Sequence, residues 1–177
     1  MNQASLFPDP AKIVDPSAGA VFSPDRAYRY LLWRELKTGS GTCLWVMLNP
    51  STADEHVLDP TLRRCIRYTE EWGYRRMEVV NLFALRSTDP AGMDEVADPV
   101  GEENNEHTSS AMDRAAQVIV GWGAHRLAQF RAEWLVEQSF ERMDWPPLRC
   151  LGITKNGQPR HPLYLPASAT PELWRLP

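Results

Sequence analysis

Four short segments made mostly of apolar residues alternate with segments of helical spacing, and this alternation constrains the fold more than any other feature. Apolar character along a whole segment is typical of strands that helices cover on both faces. Strands that alternate with helices favour a parallel sheet. The sequence therefore predicts an α/β fold, a three-layer α/β/α sandwich around a central, mainly parallel four-stranded sheet, with buried strands in residues 42–48, 77–85, 116–123 and 148–154.

The segments between these strands predict three helices. Asp59 followed by Pro60 is typical of a helix N-cap and the first helical residue. Asp98 and Pro99 repeat this arrangement and predict the start of a second helix. Residues 124–140 are amphipathic and predict the third.

Length and proline content predict the domain organisation. A chain of 177 residues with 43% hydrophobic residues is long enough for one well-packed domain. Prolines recur in residues 1–25, which we predict to be an irregular N-terminal arm. Residues 26–177 then form a single α/β domain, in which 28–36 alternate well enough for a further, half-buried strand.

Charge and cysteine content narrow the partners and the compartment. The net charge of −4 provides no overall basic field for nucleic acid, although a local basic groove stays possible. Cys43, Cys65 and Cys150 are odd in number and lie among apolar neighbours, which favours reduced core thiols. With no signal peptide or membrane-spanning run recognisable, we expect a cytoplasmic protein without a membrane partner. Nothing in the sequence indicates its oligomeric state.

Polar residues or glycines follow each of the four buried strands. In open α/β sheets, ligands bind outside the carboxyl ends of the strands, so residues placed there are the first candidates for a site. We expect them to meet at one edge of the sheet, with contributions from Asn49, Pro50, Ser51, Asn81, Gly121, Trp122, Gly123, Lys155, Arg160 and His161.

Each of the main candidates also has a structural explanation. Asn49 followed by Pro50 can simply form the turn that leaves the strand. Asn81, in an apolar strand, must have its hydrogen bonds met, either by neighbouring backbone or by the edge of a nucleobase. His161 is either a surface residue of a proline-rich loop or a donor that stabilises negative charge on a leaving group.

A metal or cofactor site is not indicated. Asp54, Glu55, His56 and Asp59 are common ligand types, but their spacing matches no metal signature, and a solvated, helix-capping loop explains them better. The glycines of residues 121–123 form neither a phosphate-binding loop nor a dinucleotide fingerprint. We therefore expect no cofactor and no metal.

Sequence blocks over residues 20–165 resemble the signature of a mainly bacterial family, domain-of-unknown-function family 1643. The resemblance is specific, but it implies almost nothing about function. The blocks, in chain order, are MLNPSTADE, DPTLRRC, WGY, VVNLFALRSTDP, DPVGEEN, VGWG and LGITKNGQPRHPLYL.

A more distant resemblance is to the uracil-DNA glycosylase superfamily, whose fold is a parallel α/β sandwich. MLNPS is similar to its Gly-x-Asn-Pro-Gly block and implies that Asn49 positions the attacking water. VVNLFAL implies that Asn81 reads the base, and VIVGWGA is similar to its strand that ends in glycine. RHPLY resembles its His-Pro-Ser block and implies that His161 supports the departing base.

Three substitutions separate the chain from these glycosylase blocks. Met47 and Ser51 replace the two glycines, and Leu163 replaces the serine. Without the glycines, a sugar or base approaches the first loop less closely, which favours a different ligand.

These observations predict an N-glycosidic hydrolase that acts on a modified nucleobase in DNA. The base must leave the stack and enter a pocket at the strand ends. Asn81 binds its edge, and Phe83 or Trp122 stacks on it. Asn49 orients water, while Asp54, in the same loop, is a better proton acceptor than an amide.

The sequence leaves two alternative functions open, and it also suggests which residues contact phosphate if the protein is a hydrolase. The pocket can belong to a non-catalytic domain that binds a nucleotide or a modified base. A less favoured alternative is a metal-dependent hydrolase that uses Asp54, His56, Asp59 and His107. In the first interpretation, the expected phosphate contacts come from Arg63, Arg64, Lys155 and Arg160.

Overall fold

The computed structural model describes residues 17–51 and 58–177. Two short 3-10 turns, Pro90–Glu95 and Pro162–Tyr164, lie between the regular elements. In chain order, these elements are β1 (Ala18–Phe22), β2 (Arg29–Glu35), β3 (Thr42–Met47), α1 (Pro60–Glu71), β4 (Arg76–Asn81), α2 (Asn104–Arg114), β5 (Gln117–Val120), α3 (Ala128–Glu141), β6 (Leu148–Cys150) and β7 (Glu172–Leu173).

The strands form a single mixed sheet in the order β1-β2-β4-β3-β5-β6-β7. The pairs β4-β3, β3-β5 and β5-β6 are parallel. The pairs β1-β2, β2-β4 and β6-β7 are antiparallel. The predicted α/β class is therefore confirmed, while the predicted number of four strands is too low, because the described residues form seven.

Helices cover both faces of this sheet because side chains of β3 alternate between two hydrophobic clusters. Cys43 and Trp45 pack with Leu62 and Cys65 of α1. Leu44 and its neighbours on the other face pack with residues of α2 and α3. No described helix has the length and apolar character that crossing a bilayer requires.

The predicted irregular arm contains a strand. Residues 18–22 form β1, which pairs with β2 in an antiparallel register. Gly19 lies opposite Trp33, and a Cβ at Gly19 would lie 2.1 Å from Trp33 Cζ2, so glycine is needed for this pairing. The predicted boundary between arm and domain is therefore wrong for residues 18–22, and residues 1–16 lie outside the described part of the chain.

The two Asp-Pro pairs have different outcomes. The helix predicted after Asp59 is confirmed, and Asp59 Oδ1 accepts a hydrogen bond from Leu62 N–H at 2.7 Å. Asp98 instead caps a turn through the N–H groups of Val100 and Gly101. Gly101 has a φ of +87°, which breaks the helical path, so α2 starts only at Asn104.

The three cysteines are free and buried, as predicted. Burial raises the pKa of the Cys43 thiol to about 12. Cys65 lies on the buried face of α1, and burial also raises its pKa well above the ordinary value. These thiols are packing residues.

Candidate functional site

A cleft of about 420 Å³ lies at the carboxyl ends of β3 and its neighbours. In the sheet, β4 and β5 lie on opposite sides of β3. The connection after β3 therefore leads to one side of this strand, and the connection after β4 crosses to the other side. Such a reversal is where open α/β sheets bind ligands. The lining of the cleft combines apolar and polar side chains, and its polar residues are Arg29, Asn49, Ser51, Asp59, Thr61, Asn81, Ser87, Thr88, His161 and Tyr164.

Asn49 joins the loop after β3 to the loop after β4. Its Nδ2 donates to the Ser87 carbonyl at 2.9 Å and to the Pro50 carbonyl at 3.2 Å. Ser87 N–H donates back to the Pro50 carbonyl at 3.0 Å. Both amide hydrogens are thus used in the loop, which leaves the Asn49 Oδ1 as the atom that can accept a hydrogen bond from a ligand or water.

Asp59 combines helix capping with a position in the cleft. While its Oδ1 caps α1, its Oδ2 accepts a hydrogen bond from Ser51 Oγ at 2.6 Å. Both residues line the cleft. The carboxylate is therefore held in one orientation by two donors, which is typical of a positioned functional group.

Asn81 is buried at the end of β4 and forms part of the cleft wall. Its Oδ1 accepts a hydrogen bond from Arg29 Nη2 at 3.4 Å, and Arg29 is itself only 3% exposed. Asn104 Nδ2 fixes the backbone there by donating to the carbonyls of Asn81 and Leu82. With its oxygen oriented toward Arg29, Asn81 has its amide hydrogens available as donors.

His161 enters the cleft from the segment after β6. Its Nδ1 accepts a hydrogen bond from Leu163 N–H at 3.4 Å, so the proton of the neutral ring belongs on Nε2. Burial lowers the pKa of His161, and the negative charge of Asp59 opposes this shift. A neutral imidazole with an Nε2–H donor is the expected state near neutral pH.

The glycines after β5 hold the His161 segment against the sheet. A Cβ at Gly121 would lie 3.1 Å from Pro162 Cδ, so glycine permits this close approach. Gly123 N–H donates to the Pro159 carbonyl at 2.9 Å, and Trp122 Nε1 donates to Gln158 Oε1 at 2.9 Å. These residues position His161 and explain the glycine-rich block without a phosphate.

The predicted site residues separate into three groups. Asn49, Ser51, Asn81, Trp122 and His161 line the cleft. Pro50 and Phe83 are buried beside it, and neither belongs to its lining. Asp54 lies outside the described residues, and the side chains that are exposed away from the cleft are Lys155 and Arg160.

The structure changes the predicted roles of the aromatic residues. Phe83 is a core residue, 4% exposed. Trp122 is 2% exposed and packs edge-on against Trp174 at a centroid distance of 5.0 Å, so its face is not open to a ligand. Tyr164 lines the cleft, is 75% exposed and lies 5.7 Å from the His161 ring, so it is the better stacking surface.

Arg29, Asp59 and Tyr164 are among the cleft residues that sequence reasoning missed. Arg29 begins an antiparallel strand, where the rule of carboxyl strand ends does not apply. Asp59 was interpreted as a cap or a metal ligand, and Tyr164 carries no local signal. The only sequence signal for Arg29 was its position in the alternating segment 28–36, where this charged residue comes directly before the apolar run of β2.

The residues considered for a metal do not meet in the described part of the chain. Asp59 lines the cleft, whereas His107 pairs with Glu103 on α2 and stacks on Tyr30. Asp54, Glu55 and His56 lie outside the described residues. Among the described residues, no group of three or more metal-ligating side chains is present.

Fold and site together define an α/β protein with a polar, histidine-containing cleft at the carboxyl ends of parallel strands. Residues 29–163, about three quarters of the chain, match DUF1643, a protein family of unknown function. The chain belongs to this family. No curated protein and no solved structure matches it.

Proposed function

We propose that the protein is an N-glycosidic hydrolase that releases a modified nucleobase bound in the cleft. The observation that carries the proposal is the hydrogen bond from Leu163 N–H to His161 Nδ1. It leaves Nε2–H as a donor, and burial favours the neutral ring. Cleavage of the C–N bond puts negative charge on the departing base, and a fixed donor at that point lowers the barrier.

Asn81 and Arg29 suit recognition of the base edge. Arg29 Nη2 occupies Asn81 Oδ1, so the Asn81 amide offers hydrogens to the ligand. An edge made of donors selects acceptors, which in a nucleobase are carbonyl oxygens and unprotonated ring nitrogens. The proposed base therefore has a carbonyl at the bound edge, and Tyr164 stacks on its face.

Two groups are candidates to handle the attacking water. Asn49 Oδ1 can accept a hydrogen bond and orient the water, but an amide is a poor proton acceptor. The Asp59 carboxylate lies in the same cleft and can take the proton. Asp54 keeps the role proposed from the sequence and lies outside the described residues.

The resemblance to the uracil-DNA glycosylase superfamily supports the proposal through the order of its fragments. Asn49, Asn81, Gly121 and His161 each follow or end a strand, and all but Gly121 line the cleft. We also propose that the parallel pairs from β4 to β6 correspond to the α/β sandwich of that superfamily. The proposed partner is DNA with a modified base or a nucleotide.

A single-turnover assay tests the reaction. Purified protein is incubated with single- and double-stranded oligonucleotides that contain uracil, hypoxanthine, hydroxymethylated or glucosylated pyrimidines, and abasic sites are scored. His161→Gln should lower the rate about 10²-fold or more. Absence of abasic product from every substrate with folded wild-type protein would refute the proposal.

The chain offers a matched control for His161. His125 Nδ1 also accepts a hydrogen bond, from Leu127 N–H at 3.4 Å, but His125 is not a cleft residue. His125→Gln should therefore keep the wild-type rate. Equal loss in both variants would point to a general effect on folding rather than to a role for His161.

A second candidate is a domain that binds a nucleotide or modified base without cleaving it. The structural role of the Asn49 amide in joining two loops favours it, because no water-positioning role is then required. Equilibrium binding of the same oligonucleotides distinguishes the two. Base-dependent affinity without abasic product would support the binding domain.

A further inference from the structure

The C-terminal part of the chain contains a long segment without carboxylate side chains. Residues 145–171 include Lys155, Arg160 and His161 but no Asp or Glu, although the whole chain has 23 acidic and 19 basic residues. His161 and Tyr164 of this segment line the cleft. One side of the cleft therefore continues into a surface whose own charges are positive, which the net charge of −4 does not reveal.

Residues 152–160 of this segment form a turn that two buried tryptophans hold in place. Trp122 Nε1 donates to Gln158 Oε1 at 2.9 Å, and Trp174 Nε1 donates to the Gly157 carbonyl at 2.9 Å. Trp122 and Trp174 are only 2% and 5% exposed. The turn is therefore attached to the core on its inner side, and its outer side faces solvent in a fixed orientation.

Lys155 and Arg160 are cations on the outer side of this turn. Both are exposed, and neither side chain has a hydrogen-bond or ion-pair partner among residues 17–51 and 58–177. Neither of them lines the cleft. They can therefore contact only a part of a ligand that extends beyond the cleft.

Exposed apolar side chains accompany the two cations. Ile153 belongs to the same turn and is 61% exposed, and Tyr164 is 75% exposed. Proteins that bind single-stranded nucleic acid combine cationic side chains, which contact the backbone, with aromatic rings on which bases stack. In a duplex the bases are already paired and stacked on one another, so this combination of side chains favours a single strand.

The turn leads directly into the cleft wall. Arg160 precedes His161 in the chain, and Tyr164 follows three residues later at the cleft. The aliphatic stem of Arg160 lies near Gly152, where an added Cβ would be 3.7 Å from Arg160 Cδ. The nucleotides next to one that is bound in the cleft would therefore meet this surface.

We propose that Ile153, Lys155, Arg160 and Tyr164 bind the strand next to the base in the cleft, so that the substrate is a single-stranded polynucleotide. This proposal rests on the proposed function, which places a base in the cleft. Lys155 and Arg160 contact backbone phosphates through charge-assisted hydrogen bonds. A mononucleotide in the cleft does not reach these two cations.

The assignment keeps part of the phosphate contacts predicted from the sequence. Lys155 and Arg160 retain this role within the proposal. Arg64 instead donates to the Leu165 carbonyl, and Arg63 is exposed on α1 outside the proposed surface.

Oligonucleotides without a modified base test the surface independently of base release. Fluorescence anisotropy compares a labelled single strand with the matching duplex over a range of salt concentrations. The variant is Lys155→Gln/Arg160→Gln, and the matched control is Lys37→Gln/Arg75→Gln. Lys37 and Arg75 are also exposed, but they precede β3 and β4 and so lie at the edge of the sheet opposite the cleft.

Wild type should bind the single strand more tightly than the duplex. Lys155→Gln/Arg160→Gln should bind the single strand at least about tenfold more weakly than the control variant. It should also reduce the slope of log K against log salt concentration by about 1.4, since each contact with a phosphate of a single strand contributes about 0.7. Equal binding by the two double variants, equal or tighter binding of the duplex, or no binding of the single strand by wild type would overturn the proposal.

Ile153→Ser tests the apolar part of the surface. Because the side chain is 61% exposed, we expect a wild-type melting temperature. Binding of the single strand should become several-fold weaker with an unchanged salt slope, since no charge is removed. Wild-type affinity of Ile153→Ser would contradict the role of this side chain.

Strand binding and base release can fail separately. Binding that depends on Lys155 and Arg160, without abasic product from any substrate, would support the surface and refute the hydrolase. Base release at equal rates by the two double variants, measured with oligonucleotide below saturation, would support the hydrolase and refute the surface.

Discussion

Ser51 Oγ donates a hydrogen bond to Asp59 Oδ2 at 2.6 Å, and Asp59 Oδ1 in turn caps α1. One carboxylate thus connects the loop after β3, the start of a helix and the mouth of the cleft. Because these roles depend on different properties of the side chain, substitutions can separate them.

Asp59→Asn should keep the cap and lose the charge, since asparagine is as good an N-cap as aspartate. We expect nearly wild-type stability and a lower pKa for His161, because the charge that opposes the burial effect is removed. Asp59→Ala should cost about 1 kcal/mol of unfolding free energy. NMR titration and urea unfolding measure these effects. An unchanged His161 pKa in Asp59→Asn would contradict the assigned electrostatic coupling.

Stability should depend on pH through His161. Burial lowers its pKa in the folded state below the ordinary value of 6.5. As the pH falls, His161 therefore binds its proton at a higher pH in the unfolded chain than in the folded protein. The stability that the neutral His161 contributes is fully present above about pH 6.5 and is lost as the pH falls through the folded pKa. Urea unfolding across this range should show the loss in wild type and in His125→Gln. A loss of the same size in His161→Gln would rule out His161 as its source.

Asn81→Asp should change which base edge is preferred. Aspartate pairs with Arg29 and presents an acceptor where the amide presented donors. We expect the preference for a carbonyl edge over an amino edge to decrease by about 1–3 kcal/mol. Competition between hypoxanthine- and adenine-containing oligonucleotides measures it, with Asn105→Asp on the surface of α2 as a control. An unchanged preference would show that Asn81 supports the fold alone.

Glu78 should matter for stability but not for binding. It is fully buried in β4 and pairs with Arg76 at 2.7 Å and Arg114 at 2.7 Å. Glu78→Gln removes the charge partner of Arg114 and one of two charge partners of Arg76, which also pairs with Glu35. The change should cost about 2 kcal/mol, less than a fully buried pair because both arginines are partly exposed. Urea unfolding checks the value, and Glu78→Met/Arg114→Met should lose less than the two single changes combined. Additive losses would contradict a coupled network.

The elements that sequence predicted well are those set by local interactions. The N-terminus of α1 depends on Asp59 and Pro60 alone, whereas α2 was placed too early because an identical dipeptide caps a turn that Gly101 ends. The strands β1 and β7 were missed, since edge strands of five and two residues gain their structure from pairing with distant segments.

The same difference between local and long-range interactions explains which site residues were predicted from the sequence. Asn49, Asn81 and His161 were found because each lies at the carboxyl end of a predicted parallel strand or in the loop that follows it. Arg29 was missed because its place beside Asn81 depends on the antiparallel pairing of β2 with β4. Phe83 was misassigned because the chain leaves the strand at Asn81, and its side chain then packs into the core.

The wall that carries His161 is attached to α1 by bonds that span most of the chain. Arg64 donates to the Leu165 carbonyl across 101 residues, and Tyr68 Oη donates to the Pro166 carbonyl across 98. A growing polypeptide on the ribosome therefore has no complete cleft until residues 161–166 have emerged and docked on α1. A truncated chain that retains only β1 to β5 lacks the cleft wall that carries His161, so any process that depends on this wall begins only after that segment has been synthesised.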